Sequence, residues 1–229
     1  MRIKEIILST FMAFLPFFAQ AQANVPAVRP SATYYDEEKG EMTETEGDFG
    51  GQAPLTATFH ANPTGMEGFT PTYEWHFRMA NKTSDFMVRY EEDTEYTFTR
   101  AGITRVTLYA NLGTDTLTID STSINVTISE SKLTFPNAFS PNGDGRNEVF
   151  KAKEYQSLVE FHAYIFNRWG HKLYEWTNPA EGWDGTSGGK AVKEGVYFVL
   201  VKARGADGRE YNIRKDVNLL RGYTDSTNN

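Results

Sequence analysis

The chain of 229 residues contains no cysteine. This absence excludes disulfide bonds, zinc–thiolate sites and cysteine catalysis. It also excludes the lipidated cysteine that a lipoprotein carries just after its signal peptide. A protein without cross-links has to be held together by its hydrophobic cores. We therefore expect compact domains, each with an apolar interior of its own.

Long apolar runs are scarce as well. The stretch at 6–19 is too short to span a bilayer comfortably, and a proline interrupts it. Arg2 and Lys4 precede the stretch, and a small-residue cleavage site ends at Ala23. This arrangement predicts a secretory signal peptide at 1–23. We expect the mature chain to be exported and to have no transmembrane segment.

The sequence also lacks the common catalytic signatures. There is no Gly-x-Ser-x-Gly elbow, phosphate-binding loop or His-Glu-x-x-His pair. The four histidines are scattered, and no pair of carboxylates completes a site around them. We therefore predict that the chain is not an enzyme and needs no cofactor, calcium being the one ion to consider.

Acidic residues are in excess over the first part of the mature chain. Residues 24–50 contain 7 acidic and 2 basic residues, and residues 51–131 contain 10 and 5. Residues 132–229 contain 12 acidic and 14 basic residues. An acidic body repels nucleic acid and anionic membranes, so neither is an expected partner.

Residues 24–50 are predicted to form a flexible acidic leader. The segment contains Pro26, Pro30 and an acidic cluster at 36–38, with little apolar content. Such a composition buries too little surface to offset the entropy lost on ordering. The alternative is that Val28 and the tyrosine pair at 34–35 lie along the next domain as an edge strand.

Residues 51–131 have the pattern of a β-sandwich. Apolar and polar side chains alternate at 55–59, 73–77, 106–110 and 124–128, with glycine and proline between these runs. A period of two gives strands with one buried face, and several short strands separated by turns are typical of a sandwich.

Two segments of this region resemble the polycystic-kidney-disease (PKD) family of immunoglobulin-like domains. Residues 73–77 read YEWHF, against the family's Tyr-x-Trp-Asp-Phe strand. Residues 96–108 read YTFTRAGITRVTL, against its tyrosine strand, glycine turn and Thr-Val-x-Leu strand. His76 stands where the family has aspartate, and the family's Gly-Asp-Gly turn is missing. The resemblance implies that Trp75 is a buried core residue.

Residues 132–223 are predicted to form a second β-sandwich. Alternation recurs at 159–166, an apolar strand is predicted at 195–204, and a hairpin turn at 205–208 leads into a further strand at 211–220. The last residues, 224–229, are expected to fray. We expect the two sandwiches to fold independently, with the junction at 129–133.

The glycine-rich loop at 140–148 has two interpretations. Asn142, Asp144 and Glu148 supply oxygens at spacings found in calcium loops, and Gly143 and Gly145 allow tight turns. The loop lacks the full ligand set of an EF-hand. In the alternative interpretation Asn142 and Asp144 cap the backbone of their own turn.

The segment Arg168-Trp169-Gly170 is predicted to lie at a hairpin tip. We expect Trp169 to fold back onto the sheet, with Arg168 paired to Asp184 or stacked on an aromatic ring. Replacing Trp169 with alanine would then destabilise the domain. The alternative is an exposed anchor for a partner, since Trp and Arg are common interface residues.

A second tryptophan turn follows at Trp183, Asp184 and Gly185. Its Gly-Trp-Asp-Gly sequence predicts a tight turn with the indole as an apolar plug.

Five segments of the second unit occur in a fixed order. They are FPNAFSPNGDG at 135–145, IFNRWG at 165–170, GWDG at 182–185, GVYF at 195–198 and VNLLR at 217–221. Together they resemble the gliding-motility-associated C-terminal domain, the type B sorting signal of type IX secretion substrates in Bacteroidetes. The resemblance implies that the sorting motif comprises Asn142, Gly143, Asp144, Gly145, Arg168, Trp169, Gly170, Trp183, Asp184 and Gly185.

This resemblance also implies a route and partners. The protein would cross the inner membrane by the general secretion route and the outer membrane by the type IX route. Its partners would be the translocon and a PorP/SprF-like outer-membrane protein, and it would lie at the cell surface or outside the cell. Two short segments, at 115–117 and 120–122, resemble the O-glycosylation acceptor pattern of exported proteins in Bacteroidetes, and the alternative is a polar hairpin loop.

Three hypotheses compete for the role of the whole chain. The first is an adhesin-like surface protein whose PKD-like domain binds protein or carbohydrate. The second is an accessory subunit of the gliding or secretion apparatus. The third is a hydrolase with an unrecognised site.

Overall fold

The computed structural model describes residues 25–45, 47–113 and 118–222, and it gives an all-β protein. The predicted signal peptide at 1–23, the tail at 224–229 and the acceptor pattern at 115–117 lie outside the described residues. None of the described ranges contains a helix with the length and hydrophobicity needed to cross a bilayer.

The first unit consists of two stacked sheets. Its strands are β1 (Ala27–Val28), β2 (Ser31–Asp36), β3 (Gly40–Glu44), β4 (Phe49–Gly51), β5 (Leu55–His60), β6 (Pro63–Thr64), β7 (Thr72–Met79), β8 (Met87–Arg89), β9 (Asp93–Phe98), β10 (Gly102–Asn111) and β11 (Thr118–Ile128). One sheet has the order β3-β2-β5-β9 and the other the order β4-β11-β10-β7-β8, while β1 pairs with β6. The predicted sandwich is confirmed.

Aromatic rings fill the space between these two sheets. Phe59 is fully buried, and its ring centroid lies 5.8 Å from Trp75, 5.7 Å from Phe77 and 6.2 Å from Phe98. Trp75 is 1% exposed, as expected for a core tryptophan. Its indole N–H donates to the carbonyl of Glu91 at 3.1 Å, which satisfies the one polar atom that the ring buries.

The structure corrects the expectation of an unpacked acidic leader. β2 is an interior strand of its sheet, between β3 and β5, and β4 pairs in parallel with β11. Val28, Ala32 and Phe49 are buried in the first core. The acidic side chains occupy the turns and outward positions. The low apolar content of the segment therefore reflects strands with one buried face.

The second unit is built on a single large sheet. Its strands are β12 (Lys132–Thr134), β13 (Ala138–Phe139), β14 (Phe150–Lys151), β15 (Glu154–Gln156), β16 (Leu158–Phe166), β17 (Lys172–Trp176), β18 (Gly182–Trp183), β19 (Thr186–Ser187), β20 (Lys190–Ala191), β21 (Gly195–Gly205) and β22 (Glu210–Leu219). Five of them form a sheet of order β13-β22-β21-β16-β17. The pairs β12–β15, β14–β18 and β19–β20 supply the opposing layer.

This opposing layer seals the second core with aromatic side chains. Phe150 and Trp183 of this layer are fully buried, and they belong to the same cluster as Phe139, Ile165 and Val201 of the large sheet. The parallel pairing of β13 with β22 joins the start of the unit to its last strand. Both ends of the second unit are thus needed to complete its sheet.

Polar side chains join the two units at their junction. The Ser131 hydroxyl donates to Asp207 Oδ1 at 2.7 Å, and the Ser131 N–H donates to Asp207 Oδ2 at 3.2 Å. Burial alone would raise the pKa of the Asp207 carboxyl. The hydrogen bonds from Ser131 and from the Arg209 N–H outweigh this effect, so the pKa lies below its ordinary value.

The hairpin between β21 and β22 inserts its tip into the first unit. Ala206 is buried with the first core, and its carbonyl accepts the Ala101 N–H at 3.0 Å. Gly205 lies so close to the linker that a Cβ added there would be 2.1 Å from Ser131 Oγ and 2.4 Å from Ser131 Cβ. Only glycine fits at this contact, so the junction requires glycine at position 205 of the hairpin tip.

Candidate recognition surface

The glycine-rich loop at 140–148 closes on itself. The Asp144 N–H donates to Asn142 Oδ1 at 3.0 Å, the Arg146 N–H to Asp144 Oδ1 at 2.8 Å and the Gly145 N–H to Glu148 Oε1 at 3.0 Å. The hydrogen bond from the Asn142 side chain, followed by that from the Arg146 N–H, lowers the pKa of Asp144. These contacts favour the interpretation of a self-capped turn.

The predicted calcium ligands are close to one another in this loop, but their oxygens accept hydrogen bonds from the loop itself. Gly143 and Gly145 have φ values of 83° and 81°, which other residues reach only with strain. Within 25–45, 47–113 and 118–222, no group of three or more His, Asp or Glu side chains is arranged to hold a metal ion. Calcium binding at Asn142, Asp144 and Glu148 stays a prediction.

The hairpin tip between β16 and β17 is held by hydrogen bonds within the turn. Asn167 Oδ1 accepts the N–H groups of Trp169 and His171, both at 3.0 Å. The Gly170 N–H donates to the Asn167 carbonyl at 3.0 Å, and Gly170 has a φ of 82°. The side chain of Asn167 thus fixes the turn from inside.

Trp169 does not fold back onto the sheet, which corrects our expectation. Its side chain is on the surface, 69% exposed, and the Arg168 guanidinium carbon lies 4.5 Å from its ring centroid. Asp184 accepts from the N–H and hydroxyl of Thr186, at 2.9 and 2.7 Å, so its bonds are made locally. The turn held by Asn167 places the indole beyond the last paired residues of the hairpin, where the sheet offers no surface to cover it.

The Gly-Trp-Asp-Gly turn behaves as predicted. Trp183 is fully buried, and its indole N–H donates to the Thr186 carbonyl at 2.6 Å. Its ring lies 5.3 Å from Phe139 and 5.0 Å from Tyr197 between centroids. The same residue type therefore has opposite roles at the two turns, a core plug at 183 and an exposed ring at 169.

Arg221 connects two of the other motif segments, 135–145 and 182–185, to the end of the last strand. Its guanidinium donates to the carbonyls of Gly185 at 2.8 Å, Val192 at 3.2 Å and Pro141 at 3.4 Å. A Cβ at Gly185 would lie 2.9 Å from Leu219 and 3.1 Å from the guanidinium. Three loops thus meet around a single side chain directly after β22.

We did not single out Arg221 from the sequence. The available signal was a lone arginine that ends the motif VNLLR directly after an apolar strand, a position where a cation can satisfy several loop carbonyls. Asn167 was missed as well, although Asn before a Gly-containing turn is a common cap.

A groove of about 440 Å³ separates the hairpin tip from the segment at 192–197. Trp169 and Leu173 line one side, and Val192, Lys193 and Val196 line the other. Val196 is 49% exposed. Charged side chains of both signs, Arg168, Lys193 and Glu194, also line the groove. The apolar surface on both sides makes this groove the part of the second unit best suited to contact a partner.

Comparison with known proteins finds one family similar to the second unit. Residues 133–215 match the family model described as the CHU_C Type IX secretion signal domain. A secretion signal of this type implies export to the surface or outside the cell. The match spans β13 to β21 and most of β22, so it includes the loop at 140–148 and both tryptophan turns. No curated protein matches the chain.

Among solved structures, a similar one is the Bacteroides ovatus mixed-linkage glucan utilization locus SGBP-B in complex with a mixed-linkage heptasaccharide. The identity is 15% and the TM-score 0.24, over 76% of this chain and 42% of that chain. The chain spans less than half the length of that protein. The PKD resemblance of the first unit stays a prediction.

Proposed function

We propose that residues 132–223 are the signal by which the type IX translocon exports this protein, and that the first unit is the cargo displayed at the cell surface. The observation that carries the proposal is the match of residues 133–215 to a type IX secretion signal domain. The connection of two motif segments, at Pro141 and Gly185, through Arg221 supports it, because a signal read by a protein machine needs a fixed surface.

The proposed export route has two steps, one across each membrane. The signal peptide at 1–23 directs the chain across the inner membrane, and the second unit directs it across the outer membrane. The translocon and a PorP/SprF-like outer-membrane protein are the proposed partners. The exposed sorting-motif residues are the proposed contacts, whereas the buried Trp183 would hold the shape of its turn.

We propose a non-enzymatic, adhesin-like role for the first unit, binding or assembling with another surface molecule. Its exposed aromatic residues lie on separate elements: Tyr35 on β2, Phe69 before β7, and Phe86 and Tyr90 on either side of β8. Sugar-binding surfaces usually need several rings in one row. The scatter therefore favours a protein partner over a carbohydrate chain.

The alternative function is an accessory subunit of the gliding or secretion apparatus. The insertion of Ala206 into the first core favours it, because the signal and the first unit then form a continuous body. Purification from outer membranes separates the two functions. A stoichiometric complex with the translocon supports the subunit, whereas substoichiometric recovery with most of the protein at the surface supports the adhesin.

Deletion of residues 132–229 tests the proposal. The shortened protein should accumulate in the periplasm, while a reporter carrying a signal peptide and residues 132–229 should reach the surface. Surface accessibility is measured by protease treatment of intact cells. Normal surface display of the shortened protein would refute the sorting function.

A further inference from the structure

We infer that the solvent-facing side of the large sheet packs against the same side of a second copy of this chain, so that the protein forms a weak, symmetric dimer. The inference goes beyond the proposed sorting function and does not depend on it. We call this surface the outer face. It consists of every second side chain of β16 from Glu160, of β21 from Val196 and of β22 from Glu210, with Lys172 and Glu175 of β17.

The middle of the outer face is apolar and open. Phe166 of β16 pairs with Phe198 of β21, and Tyr164 pairs with Leu200 in the next row. These four side chains lie on the side of the sheet away from the second core, and Phe198 is 47% exposed. The solvated side of an antiparallel sheet is usually polar. A contiguous apolar group at this place therefore indicates a protein contact.

Charged side chains flank the apolar middle in a pattern that is complementary to itself. The row with the two phenylalanines runs from Asp216 on β22 to Lys172 on β17. The next row runs from Arg214 on β22 to Glu175 on β17. A two-fold axis along the strands, between β16 and β21, brings the two ends of a row opposite each other in the two copies. Asp216 of one copy then faces Lys172 of the other, and Arg214 faces Glu175.

The remaining charged side chains of the outer face fit the same arrangement. Arg204, which pairs with Glu160 of its own chain, also lies opposite Glu160 of the second copy. Lys202 lies opposite His162, which is compatible while the imidazole is neutral. Glu210 lies at the margin, in a row that β17 does not reach. The outer face thus has four acidic and four basic side chains, although the whole chain has a net charge of −7. Two copies can therefore approach through this face without net repulsion.

Ion pairs within one copy do not cancel this pattern. Lys172 lies 3.0 Å from Glu175, which lies 3.5 Å from His162. All three side chains are more than a third exposed, so these pairs are weak. Arg214 and Asp216 are exposed and form no ion pair within 25–45, 47–113 and 118–222. The second copy therefore supplies partners for the charges of β22 and joins the pair on β17 into a network.

The size of the outer face predicts the strength of the dimer. Four strands about 4.8 Å apart and four rows about 6.8 Å apart cover roughly 500 Å² on each copy. The face ends at the hairpin-tip groove, where Arg168, Lys193 and Glu194 lie beyond the paired rows. A total of roughly 1,000 Å² is typical of transient interfaces, so we expect a Kd of about 10–100 µM.

Sedimentation equilibrium of residues 24–229 tests the dimer. The wild type should change from monomer to dimer between about 1 and 200 µM at low salt. Phe198→Ser should weaken the dimer about 30-fold, because a symmetric dimer contains the ring twice. Phe69→Ser removes a 48% exposed ring from the first unit, so it is the matched control and should dimerise normally. A wild type that stays monomeric over this range, or equal effects of the two substitutions, would overturn the inference.

Exchanges of charge test the arrangement of the two copies. One variant carries Arg214→Asp and Asp216→Arg, the other carries Lys172→Glu and Glu175→Lys, and neither changes the net charge. Each variant alone should dimerise at least about 10-fold more weakly at low salt, because like charges then face each other. An equimolar mixture should recover the wild-type affinity, because the exchanged strand of one variant faces the exchanged strand of the other.

Recovery in the mixture would also show that both variants are folded. Their melting temperatures should stay within about 2 °C of the wild type, because the substituted side chains are exposed. Exchanged variants that each dimerise as well as the wild type would overturn the two-fold arrangement and the inference with it. A mixture of folded variants that stays monomeric would overturn it equally.

Discussion

Gly205→Ala should pull the two units apart, because glycine is the only residue that fits between the hairpin tip and the linker. A Cβ at this position would lie 2.1 Å from Ser131 Oγ, 2.4 Å from Ser131 Cβ and 2.4 Å from Asp207 Oδ1. Oγ and the carboxylate could rotate away, but Ser131 Cβ is fixed by its own backbone. The hairpin therefore has to move, and Ala206 leaves the first core with it.

The magnitude follows from two losses. Forcing an extra carbon into a packed contact costs about 1–3 kcal/mol. Loss of the two hydrogen bonds from Ser131 to the Asp207 carboxylate adds a cost of about 1.5–3 kcal/mol. We expect a decrease of about 3 kcal/mol or more in the free energy of unfolding. For a protein of this size that lowers the melting temperature by about 6–12 °C.

The assay is differential scanning calorimetry with a matched control. Gly222→Ala makes the same chemical change at a glycine with no atom within 4 Å of its added Cβ, and it should melt like the wild type. Ser131→Gly removes the clashing side chain, so Gly205→Ala should cost at least about 1 kcal/mol less in that background. Equal melting of the Gly205 and Gly222 variants, or strictly additive effects with Ser131→Gly, would refute the reasoning.

Three further predictions concern single side chains. The pKa of Asp207 is lowered in the folded protein, so its contribution to stability is complete above the unfolded-state pKa of about 3.9 and is lost as the pH falls through the folded value. Acid titration of the melting temperature should therefore be flatter in Asp207→Asn than in the wild type between pH 5 and about 2, and parallel curves would contradict this. Trp183→Ala should destabilise the second unit by about 3–5 kcal/mol in denaturant unfolding. A loss as small as that of Trp169→Ala, about 0.5 kcal/mol or less, would mean that burial does not distinguish the two rings. The first unit should not need calcium. In calorimetric titration of the whole chain with calcium, any heat of binding should disappear in Asp144→Ala. Heat that survives this substitution would exclude the loop at 140–148 as the main calcium site.

The sequence was most informative about the strands. Alternation of apolar and polar residues at 55–59, 73–77, 106–110 and 124–128 predicted β5, β7, β10 and β11. A strand with one buried face has an apolar residue at every second position, and this pattern is visible in the local sequence alone. The leader was misjudged because its strands bury small or few side chains, such as Ala32, so the acidic residues between them dominated the composition.

The site was harder to predict because its geometry depends on distant residues. Trp169 and Trp183 both lie in glycine-containing turns, and nothing local tells which ring finds a core. Trp183 is buried because the rings of Phe139 and Tyr197, which lie elsewhere in the chain, pack against its indole. Arg221 reaches its carbonyl partners across the same kind of distance. Only the register of the large sheet brings these residues together.

The insertion of Ala206 into the first core has a consequence for the order of events during synthesis. Chains emerge amino terminus first, at about 5–20 residues per second, and domains fold as they become complete. The first unit has all of its own strands once Ile128 has emerged, yet its core still lacks the alanine that the last hairpin delivers. For some seconds the first unit therefore lacks this packing contact at the junction. Arrival of the hairpin completes both units together, so the second unit reaches its final structure only when the first core is also complete.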